Sequence, residues 1–498
     1  MLRQLLVHAS NYSLASVLVT LAGLISFPIF TRIFSVSEYG LLNLVSSTLG
    51  LMVGLGKLGL QTSTIRFYAQ ATSGKSDINE GTFFSTSLLG MLMSGACASL
   101  ALFLFVEFAP AWFWHDPRVR SLMLLTAVLV LVRVVDSGLI NILRAQQRSG
   151  LFGIYSVVRR YGGLAIILFF VFDVLQGLHG YYIGTIVSEV LAVVALAFIV
   201  LRHHPIRLSQ FSPTLIRAML AFGLPMVAYE MGGLLLAQGD RYVIQGLLGG
   251  EALGVYSAAY NFSEYVQTAL LASFGTAVTP MFTRIWEKEG DGPTRRFIET
   301  ALHFYILAAA AVAFGMAAVG GDALALLASS KYVVGAAIIP VVIGGMVLDG
   351  ANTMLGAGLY LHKRSKTVMS LVVVAAAANL GLNFILIPWQ GIMGAALATL
   401  ITYLGLTTAI ALCGQRFLRI HLPWVHALKA CAFGMVMYLV TTRVGHDKLL
   451  VSLVLKMLVA GSVYGLLVAV FDRRARDGVV SMWSRLRSSA RPAAASTE

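Results

Sequence analysis

Ten charged side chains sit inside stretches otherwise apolar enough to cross a bilayer: Lys57, Arg133, Asp136, Arg159, Arg160, Glu189, Glu230, Glu264, Asp349 and Lys456. An ionisable group at the bilayer centre costs about 2.5–3.5 kcal/mol on insertion scales, so such groups face a bundle interior or a water-filled cavity. Lys57 lies between Gly56 and Gly59 with no partner at helical spacing. It lines a cavity or snorkels its ammonium to the interface. Arg133 and Asp136 are three residues apart, close enough to neutralise each other on one helix face. Arg159 and Arg160 either reach the cytoplasmic interface or line an inward-facing cavity. Glu189, Glu230, Glu264 and Asp349 have no cation at helical spacing, so each needs an interhelical partner or a proton. Lys456 reads as a structural pair or a snorkelling residue. Among uncharged groups, Asn43, Asn141, Asn261, Asn352, Asn379 and Asn383 fall within or near apolar stretches. Interhelical hydrogen bonding is their ordinary use, and several facing one cavity would suit a sugar.

No arrangement of these residues is catalytic. There is no Gly-x-Ser-x-Gly elbow, no His-Glu-x-x-His and no Walker loop, and no motif calls for a cofactor. Cys97, Cys413 and Cys431 lie in apolar runs without metal-ligand spacing. Hydrophobic residues make up 58% of the 498 and charged residues 12%, against about 25% charged in soluble domains. Mean hydropathy is +0.82. This balance excludes a cytosolic enzyme, a secreted disulfide scaffold and a disordered chain. The net charge of +14 reads as basic cytoplasmic loops, not as a nucleic-acid surface.

The elements that must position these charges are helices. A crossing needs about 20 apolar residues, and about fourteen stretches qualify. They are near 11–34, 39–63, 82–107, 120–143, 150–172, 179–201, 216–239, 253–283, 298–320, 335–361, 367–387, 391–414, 424–442 and 449–471. The first is too long for a signal-peptide core and reads as an uncleaved span. Lys and Arg concentrate in every second loop, among them Arg144 and Arg148, Arg202 and Arg207, Arg295 and Arg296, and Lys363 and Arg364. The positive-inside rule then puts both termini in the cytoplasm. Arg32, Arg118, Arg120 and Arg241 fall on the outer side. The tail from Asp472 to Glu498 is polar, Arg/Ser/Ala-rich and expected to be disordered. Ser37–Leu42 after the first span and Gly250–Tyr256 after the seventh each place a Glu and then a Gly at a helix start. Six spans separate them, the pattern of a parallel internal repeat.

Several runs are more specific. The first spans read Phe27-Pro28-Ile29-Phe30-Thr31-Arg32, then Glu38-Tyr39-Gly40-Leu41 and Gly59-Leu60. The seventh and eighth give Asp240-Arg241-Tyr242 and Gly254-Val255-Tyr256. The eleventh and twelfth give Asn379, Asn383, Ile387-Pro388 and Gly394-Ala395-Ala396-Leu397-Ala398-Thr399. From about residue 10 to 470 the chain resembles the polysaccharide-biosynthesis (O-antigen) flippases of the multidrug/oligosaccharidyl-lipid/polysaccharide exporter (MOP) superfamily.

The resemblance implies an all-α integral membrane protein with two pseudo-symmetric six-helix lobes around a central cavity, plus two C-terminal helices. The lobes would be 1–201 and 216–414, joined by a cytoplasmic linker, 202–215, with extra helices over 415–471 and the tail over 472–498. It implies movement of a polyprenyl-pyrophosphate-linked oligosaccharide, an O-antigen or exopolysaccharide repeat unit, from the cytoplasmic to the outer leaflet of the bacterial inner membrane. Membrane lipids, a polysaccharide polymerase and export machinery would be its partners. Lys57, Arg133, Arg159 and Arg160 are the candidates for the pyrophosphate, and Glu230 and Asp349 for ion coupling. A cation-coupled multidrug antiporter of the same superfamily is the alternative. An envelope polymerase is a more distant one, because no outer loop is long enough for a catalytic domain.

Overall fold

The computed structural model describes residues 2–73, 79–110, 116–202 and 204–477. The distal tail from 478, Lys75 and His203 lie outside the described residues. Among those described there is no strand. The helices are α1 (Leu2–Ile33), α2 (Val36–Lys57), α3 (Leu60–Thr72), α4 (Glu80–Phe108), α5 (Pro117–Ala145) and α6 (Ser149–Phe169), followed by α7 (Leu178–Leu201), α8 (Pro213–Gln238) and α9 (Asp240–Leu270). Next come α10 (Ala272–Glu289), α11 (Asp291–Leu327), α12 (Ile339–Leu355) and α13 (Ala357–Leu361), then α14 (Ser365–Gln390), α15 (Ile392–Gln415), α16 (Trp424–Thr442) and α17 (Leu449–Phe471).

Among the described residues, twelve segments are long and apolar enough to cross a membrane. One of them, Pro213–Leu270, holds two helices, α8 and α9. The 21-residue α6, which carries Arg159 and Arg160 at its middle, stands outside the twelve. The all-helical, many-span architecture expected is present, with the count of fourteen an approximate one. Large side chains such as Val194, Phe198, Leu428 and Leu458 are exposed along these helices, as a lipid-facing surface requires. The protein is a multi-pass membrane protein.

Contacts group the described chain into two compact units. One contains the residues up to Tyr265 together with Ser365–Leu406, and the other contains Val266–Arg364 and the residues from Thr407 on. Within the first unit, Ser35 and Glu38 start α2 with a reciprocal capping box, Glu38 N to Ser35 Oγ at 3.2 Å and Ser35 N to Glu38 Oε2 at 2.9 Å. The span expected at 39–63 is not one helix. It breaks at Leu58 and Gly59, whose φ angles are 47° and 71°. Gly59 turns there because its backbone lies directly against that of Gly223 in α8, and any Cβ would strike the Gly223 carbonyl.

The two stretches read as an internal repeat touch each other. A Cβ on Gly40 would run into the Gly250 carbonyl oxygen and come within 2.8 Å of Gly254 N, and one on Gly254 would strike the Val36 carbonyl. Only glycine allows α2 and α9 this close. The segment around 202–215 is also more ordered than a loose linker. Leu208–Gln210 forms a 3-10 turn. Arg207 N donates to Ser85 Oγ at 3.1 Å and Ser212 N to Thr86 Oγ1 at 2.9 Å, pinning the segment to α4.

In the second unit, α11 packs on α16 and α17, with Lys456 Nζ 2.6 Å from Asp322 Oδ2. This is the structural pair the sequence suggested for Lys456. The start of the tail is ordered. Asp472 is buried, caps a helical turn through the Ala475 amide at 2.9 Å, and lies 3.1 Å from His303 Nε2.

Candidate functional site

The first unit encloses a cavity of about 720 Å³ lined by α1, α2, α5, α6, α7 and α9. Two helix faces supply its cations. On α5, Arg133, Ile140 and Arg144 line it, and on α6, Phe152, Ser156, Arg159, Arg160, Gly163 and Ile167 do so. The α6 positions repeat every three to four residues, so one stripe of the helix faces inward. Small residues let the helices close around it. Gly163 stands opposite Ser188, and Gly184 lies against Ile167 and Phe170. Tyr161 Oη donates to the Leu18 carbonyl at 3.0 Å, tying α6 to α1, and Tyr182 Oη donates to the Leu42 carbonyl at 3.3 Å, tying α7 to α2.

The charges form a ladder across three helices. Arg133 grips Glu189 through Nε at 2.9 and 3.1 Å and Nη2 at 2.7 Å. Arg159 Nη1 lies 2.6 Å from Asp136 Oδ2, and its Nη2 is 3.6 Å from Glu189 Oε2. The Tyr155 hydroxyl donates to the other Asp136 oxygen. Arg133 and Asp136 therefore do not neutralise each other on their own helix, as their spacing suggested. Each finds a stronger partner across a helix interface, because a bidentate guanidinium–carboxylate fork needs side chains that approach head-on. Glu189 has the interhelical cations its isolation called for. Arg160 is exposed to the cavity and makes no ion pair among the described residues. Arg144 lies over the Phe152 ring at 4.8 Å.

The structure thus brings Arg133, Arg159 and Arg160 together and leaves Lys57 elsewhere. Lys57 closes α2 and lies 3.2 Å from Glu230 Oε1, while Gln61 Nε2 donates to Glu230 Oε2 at 2.7 Å. Neither Lys57 nor Glu230 lines the cavity. Asp349 belongs to the second unit, where it accepts from Asn352 Nδ2 at 3.1 Å and has no ion pair among the described residues. Glu264 is exposed and likewise unpaired among them.

Sequence reasoning assigned Arg144 to a loop and gave Tyr181 and Tyr265 no role, yet all three line the cavity. The signal for Arg144 was its spacing of eleven from Arg133, three helical turns on one face. Arg241 is corrected more sharply. It was counted as an outer-loop cation and is instead buried, stacked over Tyr260 at 4.9 Å and donating to Ala237 O at 2.9 Å and Asn261 Oδ1 at 3.4 Å. Its buried neighbour Asp240, bonded to the Tyr256 hydroxyl, supplies the compensating charge 3.8 Å away.

Comparison with known proteins agrees with this architecture. The sequence profile of the family described as "Polysaccharide biosynthesis protein" matches residues 6–286. An uncharacterized membrane protein of Methanocaldococcus jannaschii is 23% identical over 391 residues, covering 74% of this chain and 75% of the relative. Among solved structures, the lipid II flippase MurJ in an inward closed conformation superposes with a TM-score of 0.78 at 15% identity, over 93% of this chain and 99% of that one. An inward-facing multidrug resistance MATE family transporter of the MOP superfamily gives 0.66 at 14% identity, over 82% and 97%. The fold is shared with MOP superfamily transporters, and with more than half its length matched the chain belongs to the polysaccharide biosynthesis protein family.

Proposed function

We propose that this protein is a flippase that carries a polyprenyl-pyrophosphate-linked oligosaccharide, an O-antigen or exopolysaccharide repeat unit, from the cytoplasmic to the outer leaflet. One observation carries the reading: a cavity among the apolar helices holds four arginines, two of which, Arg144 and Arg160, have no carboxylate partner among the described residues. A diphosphate cannot cross hydrocarbon, and a guanidinium cluster is the side-chain chemistry that shelters it. A lipid-linked cargo also fits the kinship to polysaccharide biosynthesis and the fold shared with a lipid II flippase. The site comprises Arg133, Arg144, Arg159 and Arg160. Lys57, paired to Glu230 outside the cavity, is a supporting residue.

Transport proceeds by alternating access of the lobes 1–201 and 216–414. In this reading both termini are cytoplasmic, which the basic loops support, and the protein sits in the inner membrane beside the polymerase that consumes its product. With the inside negative, two anionic charges moving outward gain about 4.6 kcal/mol at 100 mV. Potential alone can therefore drive the step. Glu230 and Asp349 stay as candidate coupling groups, to be tested by collapsing ion gradients at fixed potential.

The deciding experiment is deletion in the native host followed by leaflet-resolved extraction of polyprenyl-linked intermediates. Complete repeat units held on the cytoplasmic side support the flippase. Complete units that reach the outer leaflet but stay unpolymerised refute it, and unchanged glycan with increased drug sensitivity points to the antiporter.

A further inference from the structure

The cavity has two chemically distinct walls. Its α5, α6 and α7 residues carry every charge, while those from α1, α2 and α9 carry none and present Ser26, Tyr39, Asn43, Ser46, Asn261 and Tyr265. The uncharged wall is built rather than incidental. Asn261 Nδ2 donates to Asn43 Oδ1 at 2.7 Å and to the Tyr39 hydroxyl at 3.2 Å, and Asn43 Nδ2 donates to the Tyr39 carbonyl at 2.8 Å. Arg241 holds Asn261 Oδ1 from behind. Both amides are thereby fixed in orientation. Asn43 keeps a second N–H, and the amide oxygens keep lone pairs, for something else in the cavity.

Tyr265 completes the wall. Its hydroxyl has no hydrogen-bond partner among the described residues, and its ring rests on Gly23, where a Cβ would come within 2.9 Å of ring carbon Cε1. Phe27 meets the same ring edge-on at 6.0 Å. Arg160, the cation on α6, lines the same cavity as Tyr181 and Tyr265.

Ordered amides that both donate and accept, beside an aromatic ring with a free hydroxyl, match the hydroxyl-rich surface of a sugar. An isoprenoid diphosphate alone has no use for them. We propose that Asn43, Asn261 and Tyr265 form a subsite for the sugar attached directly to the diphosphate, with Arg160 anchoring the diphosphate beside it. The inference rests on the flippase reading and adds where the glycan begins.

The test uses the full chain in lipid nanodiscs and three probes: farnesyl diphosphate, and the same diphosphate ester bearing N-acetylglucosamine or galactose. At least one sugar-bearing probe binds about tenfold tighter than the bare one, the value of one or two net hydrogen bonds. Tyr265→Phe, which keeps the ring, reduces that ratio about threefold, and Asn43→Leu with Asn261→Leu abolishes it. Binding of farnesyl diphosphate changes less than twofold in all variants, which also reports that they are folded. If neither sugar tightens binding, or if Tyr265→Phe and the double variant both keep the full ratio, the subsite is refuted while the flippase reading stands. If none of the three probes binds the wild-type chain, the flippase reading itself fails and takes the subsite with it.

Discussion

Substituting Glu189 by Gln tests the charge ladder directly. The change keeps the side-chain shape and removes one charge. Glu189 accepts three charge-assisted bonds from Arg133 at 2.7 to 3.1 Å and stands 3.6 Å from Arg159. Hydrogen bonds to charged groups are worth about 1.5–3 kcal/mol, and breaking a fully buried pair costs about 3–5 kcal/mol. The Glu189 side chain is 11% exposed and that of Arg133 33%. Cavity water therefore screens part of the loss, and about 2–3 kcal/mol is expected for Glu189→Gln. Arg133→Gln should cost less, about 1–2 kcal/mol, because Glu189 keeps Arg159 nearby. Glu189→Gln instead leaves two guanidinium groups with Asp136 as their nearest counter-charge. The double variant should be more stable than the sum of the singles predicts by about 1–2 kcal/mol. Urea unfolding in mild detergent, followed by circular dichroism, measures all three. Additivity within about 0.5 kcal/mol would mean the ladder is a geometric coincidence and not an energetic unit.

Four further outcomes follow from the same geometry. Arg160→Gln breaks no ion pair, so stability should stay within about 0.5 kcal/mol. Binding of farnesyl diphosphate should nevertheless weaken about tenfold or more, by loss of a charge-assisted bond, and unchanged binding removes Arg160 from the site. Gly254→Ala drives a methyl into the Val36 carbonyl and should destabilise by about 2–3 kcal/mol, so a wild-type melting curve would deny the close α2–α9 contact. Lys456→Met strands Asp322 and should destabilise more than Lys456→Met combined with Asp322→Leu, which a thermal-shift series resolves. Burial alone would raise the Asp472 carboxyl, but the Ala475 amide and His303 outweigh it and hold the carboxyl below its ordinary value. A lowered value in the folded state means stability that is present above an unfolded value of about 3.9 and lost as pH falls through the folded one. Asp472→Asn should therefore lower the melting temperature at pH 7, with the difference narrowing as pH drops below about 4. A difference independent of pH would place the effect in packing.

Much of the site was legible in the sequence because the bilayer makes charge conspicuous. Arg133, Asp136, Arg159, Arg160 and Glu189 stand out as costly residues in apolar helices; four of them meet in one ladder, and Arg160 lines the same cavity unpaired. Their pairing was not legible. Spacing along one helix reports which residues share a face, but not which neighbouring helix turns toward it. Arg133 and Asp136 look like partners by that measure and are not. Helix breaks were hidden for a similar reason. Leu58 and Gly59 read as continuous span, and the turn there answers to the Gly223 backbone 164 residues later. Arg241 looked like a loop cation because apolarity lapses around Gly239 and Asp240, whereas that lapse is a buried ion pair. The two Glu-then-Gly stretches read as a repeat pattern, and what the structure shows of them is their mutual contact, which explains why Gly40 and Gly254 must be glycine.

Two carboxylates among four arginines look out of place beside a cavity proposed to hold an anion, yet the bilayer demands them. Each uncompensated cation at the membrane centre would cost about 2.5–3.5 kcal/mol. Asp136 and Glu189 neutralise Arg159 and Arg133 when the cavity is empty. Among the described lining residues and their partners, Arg144 and Arg160 then leave an excess of two positive charges. That is the charge of one diphosphate diester at neutral pH. An empty cavity with this excess remains affordable because Arg144 lies over the Phe152 ring and Arg160 is exposed. A loaded one is neutral, so the proposed cargo enters without forcing either carboxylate to give up its arginine. A singly charged lipid phosphate would leave the site unbalanced, and a cationic drug would add to the excess. On the proposed function the ladder thus matches the cavity to a doubly charged ligand, as well as holding α5, α6 and α7 together.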